Sequence, residues 1–149
     1  HDTGIDGVLI VDSPPEESVI LNKYLTRYKK SHIYLASPTT TDQRMKNISK
    51  MSSGYVYYVT IKGITGSQLS NVSSIRKNVN KIKKYSNNNL PVAVGFGIKD
   101  SSSAQKMAAF SDGIIIGSSI VELIHKYSNN EKKMNSKLST YISSISNVI

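Results

Sequence analysis

Two apolar runs in this sequence each end in a glycine-containing turn, and turns of this kind are suited to binding a phosphate group. The first run, LPVAVGFGI, contains Gly95 and Gly97, and the second, DGIIIGSS, ends in Gly117 and Ser118. Glycine lets a backbone amide approach a ligand closely, and the amides that begin a helix attract anions. Two such turns at neighbouring strand ends therefore predict a phosphate-binding site.

The two turns belong to a chain that alternates between short apolar runs and segments with helical spacing. Apolar runs without polar alternation are typical of parallel strands that are buried on both faces under helices. Five such strands are predicted, at residues 7–11, 32–36, 54–59, 90–98 and 113–116. Helices are predicted between them, and one further amphipathic helix begins at Glu131. The fold class is therefore α/β, with five β-α units and a C-terminal helix.

Helical spacing also predicts which side chains the helices bury. The predicted apolar positions of the first three helices are Val19, Ile20, Tyr24 and Leu25, then Met45, Ile48 and Met51, then Val72, Ile75, Val79 and Ile82. The corresponding positions of the later helices are Ala104, Met107 and Ala108, then Val121 and Ile124, then Met134, Leu138, Ile142 and Ile145. Thr40 or Thr41 is the predicted cap of the second helix.

Five parallel β-α units are compatible with two architectures. One is a small doubly wound domain, complete in itself. The other is the last five units of a (β/α)8 barrel, a fold of about 250 residues whose phosphate sites follow strands seven and eight. The strand-end motifs favour the barrel. On this interpretation residues 1–149 form one partial barrel domain whose first three units are missing, and a chain that begins with His1 just before a strand is expected to be truncated.

Composition excludes several classes of function. The chain has no cysteine and only three, widely spaced histidines, so neither a disulfide framework nor a metal site is expected. No apolar run is long enough to span a membrane, and the cytoplasm is the expected location. The net charge of +9 is spread over scattered lysines without interleaved aromatic residues, so no nucleic-acid partner is expected.

The order of the strand-end motifs resembles the tryptophan synthase alpha chain family, from its fourth strand to its C-terminus. Four segments carry the resemblance: DGVLIVD at residues 6–12 with Pro14 and the Glu16-Glu17-Ser18 run; SPTT at residues 37–40; GYVYYV at residues 54–59 with GITG at residues 63–66; and PVAVGFGI at residues 91–98 with GSSIV at residues 117–121. Each motif alone is weak, but their joint order spans nearly the whole chain. Ile64 and the preceding Ile61-Lys62 pair depart from the family pattern.

The resemblance implies a lyase that splits indole-3-glycerol phosphate into indole and glyceraldehyde 3-phosphate by general acid–base catalysis. It also implies an α2β2 complex with a β chain that carries pyridoxal phosphate, so no cofactor is expected in this chain. The family's two catalytic carboxylates lie on the second strand and at its end. Those strands are not among the five predicted here, and no acidic residue of this chain is assigned their role.

The resemblance also implies site residues. Gly66, Gly95, Gly97, Gly117 and Ser118 match phosphate-binding positions; Tyr57 and Phe96 match substrate contacts; Thr65 matches the lid threonine; and Asp12, Pro14, Glu16 and Pro38 match the loops that face the β chain. Each has an alternative that does not need the family: tight βα turns for the glycines, core packing for the aromatic residues, a turn hydroxyl for the threonine, and helix initiation for the prolines. Without the family, Glu16 is a first-turn charge, and Asp12 is a strand-end residue that could be catalytic in a barrel.

Two alternative functions remain open at this point. The first is another phosphate-binding barrel enzyme, such as an epimerase or a thiamine-phosphate-type synthase, against which the glycine-rich lid motif beside the GYVYYV strand argues. The second is a half-barrel that binds phosphate or a partner without chemistry. A five-strand arc has two unpaired edges, so the chain expressed alone is expected to be poorly soluble or molten.

Overall fold

The elements of the chain alternate as the sequence predicts, in a computed structural model that describes residues 4–60, 68–95 and 97–149. The strands are β1 (Gly7–Leu9), β2 (Ser31–Ala36), β3 (Val56–Val59), β4 (Val92–Gly95) and β5 (Gly113–Ile115). The α-helices are α1 (Val19–Arg27), α2 (Asp42–Met51), α3 (Gln68–Tyr85), α4 (Ser101–Ala108), α5 (Ser118–Tyr127) and α6 (Glu131–Ser146), and a short 3-10 helix at Pro15–Glu17 precedes α1. Four of these strands are shorter than the apolar runs that predict them, and β2 is one residue longer.

The order of the strands decides between the two architectures. The sheet runs β1-β2-β3-β4-β5, and all four neighbouring pairs are parallel. In a doubly wound sheet the order of the strands reverses at a switch point, whereas the strands of this sheet follow one another in sequence order without a reversal. Because β-α-β crossovers are right-handed, a sequential order places the helices on one face, as in a barrel wall. The predicted arc of five consecutive barrel units is confirmed.

The two faces of the sheet differ in burial. On the helix-covered face, Val56, Tyr58, Val92 and Val94 are fully buried. On the opposite face, which we call the inner face, Tyr57 and its register partner Ala93 are only half-buried. The prediction that β4 is buried on both faces is therefore wrong for its inner face, because this face of the arc is partly open to solvent.

The predicted apolar faces of the middle helices are confirmed. Met45 and Ile48 of α2 are buried together with Ile75, Val79 and Ile82 of α3 and Ala104 and Met107 of α4. The predicted cap is Thr41, whose side chain accepts a hydrogen bond from the Arg44 amide. Helix α4 begins with a capping box between Asp100 and Ser103, which fixes where the helix starts.

The predicted apolar stripe of α1 is wrong. Val19, Ile20 and Tyr24 are 64%, 73% and 56% exposed. The helix instead turns Asn22 toward β2, where its side-chain oxygen lies 2.6 Å from His32 Nδ1 and its amide donates to the Tyr34 hydroxyl at 2.9 Å. A polar contact from the buried His32 therefore sets the rotation of α1, and burial lowers the pKa of that histidine.

Of the last two helices, α6 covers the core. Ile145 of α6 is buried in the core cluster, and Tyr141 and Val148 pack against it. Helix α5 has no buried residue, and its Val121 and Ile124, predicted on an apolar stripe, are exposed. Helix α5 therefore connects β5 to α6, the helix that covers the core, and it begins just after the carboxyl end of β5.

Candidate phosphate-binding site

Tyr57 and Gly95 are packed together on the inner face, near the carboxyl ends of β3 and β4. A Cβ atom added to Gly95 would lie 2.7 Å from both Cε2 and the hydroxyl oxygen of Tyr57, and 2.9 Å from Cβ of Ile115. Real Cβ contacts are longer than this, so glycine is needed here for the tyrosine ring to lie across the strand. Gly95 therefore has a packing role, and its predicted contact with phosphate stays a prediction.

The hydroxyl of Tyr57 stays protonated at neutral pH. Burial raises the pKa of Tyr57, and the neighbouring Tyr55 raises it further. A protonated phenol can both donate and accept a hydrogen bond. Tyr57 therefore presents a neutral hydroxyl on the inner face, as a substrate contact requires.

The turn after β4 has a defined shape. Gly97 adopts a φ of +78°, a left-handed conformation that favours glycine. Ile98 beside it is buried in the core, and the capping box of Asp100 and Ser103 follows. The end of β4 is also tied to β3, since the amide and the hydroxyl of Thr60 donate to the Gly95 carbonyl at 3.0 and 3.3 Å. Thr60 is not predicted as a site residue by any sequence motif, and its one signal in the sequence is its place directly after β3.

The turn after β5 is open. Gly117 and Ser118 are exposed, and Gly117 caps α5 without a side-chain hydrogen bond. The φ of Gly117 is −114°, which any residue adopts, and an added Cβ would meet nothing within 4 Å. Neither backbone strain nor packing explains a glycine at this position, whereas close approach of a ligand to the backbone does.

The arrangement suits an anion. The first amides of α5 have no partner within the helix, and the helix dipole adds a partial positive charge there. Since β4 and β5 are paired in parallel, their carboxyl ends lie side by side, with the Gly97 turn next to the Gly117 turn. Two turns with backbone amides lie side by side at the carboxyl ends of these strands, which is the arrangement predicted for a phosphate cradle, and phosphate binding itself stays a prediction.

Three predicted site residues lie outside the described residues: Gly66, Thr65 and Phe96. Gly66 and Thr65 belong to the GITG lid motif, which lies as a whole between residues 60 and 68, outside the described ranges. Their predicted roles in phosphate binding, lid closure and substrate contact stay predictions.

The four residues predicted to face a partner chain lie beyond the carboxyl ends of β1 and β2. Asp12, Glu16 and Pro38 are exposed, and Pro14 is half-buried. Glu16 accepts a hydrogen bond from the side-chain amide of Asn47 on α2 at 3.2 Å. Its own backbone amide and Asn47 lower the pKa of Glu16. The four residues lie at the same end of the sheet as the phosphate cradle, and their contact with a partner stays a prediction.

Over residues 4–60, 68–95 and 97–149, no group of three or more histidine or acidic side chains is arranged to hold a metal ion. Within the same ranges, no helix has the length and hydropathy needed to cross a membrane.

Comparisons with known sequences agree on one family. A family model described as "Tryptophan synthase alpha chain" matches residues 1–149. A tryptophan synthase alpha chain of Vesicomyosocius okutanii is 37% identical over 148 residues, which are 99% of this chain and 55% of the relative. One from Paraburkholderia phymatum is 46% identical over 125 residues, which are 84% of this chain and 45% of the relative. The chain spans about half the length of the curated relatives it matches.

Solved structures give the same result for the fold. A tryptophan synthase α2β2 complex from Pyrococcus furiosus contains a chain that superposes with a TM-score of 0.81 at 25% identity, covering 97% of this chain and 57% of that one. The alpha subunit of tryptophan synthase from Legionella pneumophila superposes with a TM-score of 0.74 at 31% identity, covering 96% of this chain and 53% of that one.

Proposed function

Because the chain belongs to the tryptophan synthase alpha chain family, we propose that it supplies the phosphate-binding part of a lyase acting on indole-3-glycerol phosphate. The reaction is a retro-aldol cleavage to indole and glyceraldehyde 3-phosphate, with the cytoplasm as its expected place. The five described β-α units would bind and orient the substrate.

The observation that carries this proposal is the turn after β5. Gly117 is exposed at the start of α5, without a side-chain cap and with open space where a Cβ would lie. This combination supports a ligand that approaches the backbone, and the helix dipole selects an anion. A substrate with a terminal phosphate meets that requirement.

Different residues of this chain would contact different parts of the substrate. The amides of Gly97, Gly117 and Ser118 would hold the phosphate, whose negative charge the start of α5 stabilises. The neutral hydroxyl of Tyr57 would contact the glycerol moiety on the inner face. General acid–base groups at the indole and at the glycerol hydroxyl would break the carbon–carbon bond. The resemblance assigns these to carboxylates on other strands of the barrel, and no acidic residue of this chain takes their place.

The proposal includes a partner. Asp12, Glu16 and Pro38 are exposed beyond the carboxyl ends of the strands, at the same end of the sheet as the cradle. Their position supports a surface where a β chain docks beside the site. The assembly would be an α2β2 tetramer, and pyridoxal phosphate would belong to the β chain. This chain itself would bind no cofactor.

Release of indole from indole-3-glycerol phosphate by the native protein tests the proposal. Tyr57→Phe should lower kcat/KM by about tenfold, the effect of one lost hydrogen bond to substrate. Tyr58→Phe is the matched control, because the Tyr58 hydroxyl lies on the helix-covered face and accepts a hydrogen bond from Asn78 at 2.9 Å. It should lower the free energy of unfolding and leave kcat/KM unchanged.

Two results would contradict the proposal. One is a folded native protein that releases no indole with or without a β chain. The other is an equal loss of kcat/KM in Tyr57→Phe and Tyr58→Phe, since that would reflect damage to β3 rather than a contact with substrate.

A further inference from the structure

The turn between β4 and α4 is held by hydrogen bonds to both peptide groups of one residue, Lys99. Its amide donates to the Ser103 hydroxyl at 3.2 Å, as part of the polar cluster that begins α4. Its carbonyl accepts a hydrogen bond from the Tyr141 hydroxyl at 3.1 Å. Tyr141 belongs to α6, so this second bond joins the turn to a separate helix.

Tyr141 is placed to make this bond by the packing of its helix. Its ring packs against the core cluster, and the next turn of α6 buries Ile145 in that cluster. Helix α6 also contacts α4 and α5, the two helices that follow the cradle turns. One helix therefore packs against the helices that follow both cradle turns, and Tyr141 bonds directly to the turn after β4.

The bond acts on a turn whose shape matters for the ligand. Gly97 lies two residues before Lys99 and has a left-handed φ of +78°, so the direction of its amide depends on the path of the turn. On the β4 side the path is fixed by Thr60, which donates to the Gly95 carbonyl. On the α4 side it is fixed by Ser103 and Tyr141.

We propose that Tyr141 is a positioning residue for phosphate binding: its hydrogen bond to the Lys99 carbonyl holds the Gly97 turn in the conformation that presents its amide to the phosphate. The inference rests on the proposed function and adds a residue that does not touch the ligand. Tyr141 acts through the backbone of the turn, because an untethered turn must be ordered when the ligand binds, which weakens binding.

The test is the affinity of the native protein for inorganic phosphate, measured by titration calorimetry for wild type, Tyr141→Phe and Tyr24→Phe. Tyr141→Phe keeps the ring and removes the hydroxyl, so the dissociation constant should rise by about two- to tenfold, the range expected for one hydrogen bond. Tyr24→Phe removes the hydroxyl of an exposed tyrosine on α1, near the other edge of the sheet, and should leave the constant unchanged.

A kinetic readout separates positioning from general stability. With indole-3-glycerol phosphate, Tyr141→Phe should raise KM by the same factor as the phosphate dissociation constant and leave kcat unchanged. An unchanged phosphate affinity in Tyr141→Phe would overturn the role of Tyr141 while the cradle stands. No phosphate binding by wild type would overturn the cradle itself, and a fall in kcat with an unchanged KM would likewise contradict the positioning role.

Discussion

The two turns of the cradle contain the same residue type for different physical reasons. At the end of β4, Gly95 lies under the ring of Tyr57, and Gly97 in the following turn has a left-handed φ. Thr60 and Tyr141 donate hydrogen bonds to the backbone on either side of this turn, and Ser103 accepts one from the Lys99 amide. After β5, Gly117 has an ordinary φ, no side-chain cap and open space around its Cβ position.

This difference separates glycines that the fold requires from a glycine that only a ligand would require. Gly95 at the end of β4 and Gly97 in the turn after it are needed by the fold itself, so substituting them should lower the free energy of unfolding. The glycine after β5 is not needed by the fold in the described residues, so substituting it should affect a ligand and leave stability nearly unchanged. The following substitutions test that separation.

Gly117→Asp should have the largest effect on binding. A carboxylate beside the bound phosphate should raise the dissociation constant of inorganic phosphate by about a hundredfold or more, since like charges in contact cost several kcal/mol. The free energy of unfolding should be unchanged or slightly higher, because aspartate is a good helix cap. Titration calorimetry and urea unfolding measure the two quantities.

Asn130→Asp is the matched control for the added charge. Asn130 caps α6 by accepting a hydrogen bond from the Lys133 amide at 2.9 Å, and aspartate caps equally well. It lies beyond the far end of α5, about 15 Å from the cradle for a ten-residue helix. An equal loss of phosphate affinity in both variants would mean that net charge alone, and not the Gly117 position, controls binding.

Gly95→Ala should have the largest effect on stability. The added methyl group would overlap Tyr57 and Ile115, and overpacking of this kind lowers the free energy of unfolding by about 1–3 kcal/mol. In a Tyr57→Ala background the same substitution should cost less, because the ring is gone. Urea unfolding of the four proteins of this double-mutant cycle measures the coupling.

Gly117→Ser is the control for this stability test, since serine is favoured at a helix cap and its Cβ would meet nothing. It should unfold at the same urea concentration as wild type or a higher one. If Gly95→Ala and Gly117→Ser were equally destabilising, or if Gly95→Ala cost the same with and without the Tyr57 ring, the contrast between the two turns would be refuted.

The cap of α4 gives the smallest expected effect and depends on pH. The Ser103 amide, and then the Ser103 hydroxyl, lower the pKa of Asp100 from its usual value of 3.8. The cap therefore stabilises the fold above pH 3.8, and this contribution is lost as the pH falls through the lowered pKa.

Asp100→Ala should lower the free energy of unfolding by about 1 kcal/mol at pH 7. The difference from wild type should shrink below pH 3.8, as the unfolded chain and then, at its lowered pKa, the folded protein binds a proton at Asp100. Asp100→Asn keeps a capping group that does not titrate, so it should unfold like wild type at pH 7. Chemical unfolding at several pH values measures this, and a pH-independent difference between wild type and Asp100→Ala would contradict the role of the carboxylate.

The elements and the middle of the core could be predicted from the sequence because they depend on local spacing. The stripes of α2 and α3 follow the helical period, and the cap at Thr41 depends on residues three positions apart. The rotation of α1 could not be predicted this way, since an apolar pair such as Val19 and Ile20 fits a stripe, whereas the observed rotation depends on a contact between Asn22 of α1 and His32 of β2.

In the site, too, local features could be predicted from the sequence and contacts between distant residues could not. Strand-end glycines followed by polar residues predict a phosphate cradle, and the two turns do lie side by side. Which glycine serves packing depends on whether the ring of Tyr57 crosses Gly95, a contact between two strands that spacing does not encode. The bond from Tyr141 to Lys99 joins the C-terminal helix to the turn after β4, and neither residue type predicts such a contact from the sequence.

The sequential order of the strands also bears on how the chain folds. Each strand pairs with the next one along the chain, so each pairing closes only one connection. The connection between β3 and β4 contains the 18-residue helix α3, and its closure brings Tyr57 onto Gly95. Because each doubling of the length of a connection adds only about 0.6 kcal/mol of closure entropy, the entropy cost of pairing β3 with β4 is close to that of the other strand pairings. The contact of Tyr57 with Gly95 can therefore form together with the pairing of β3 and β4, whereas the bond from Tyr141 to the Gly97 turn forms only once α6, which follows the sheet in the chain, has been added.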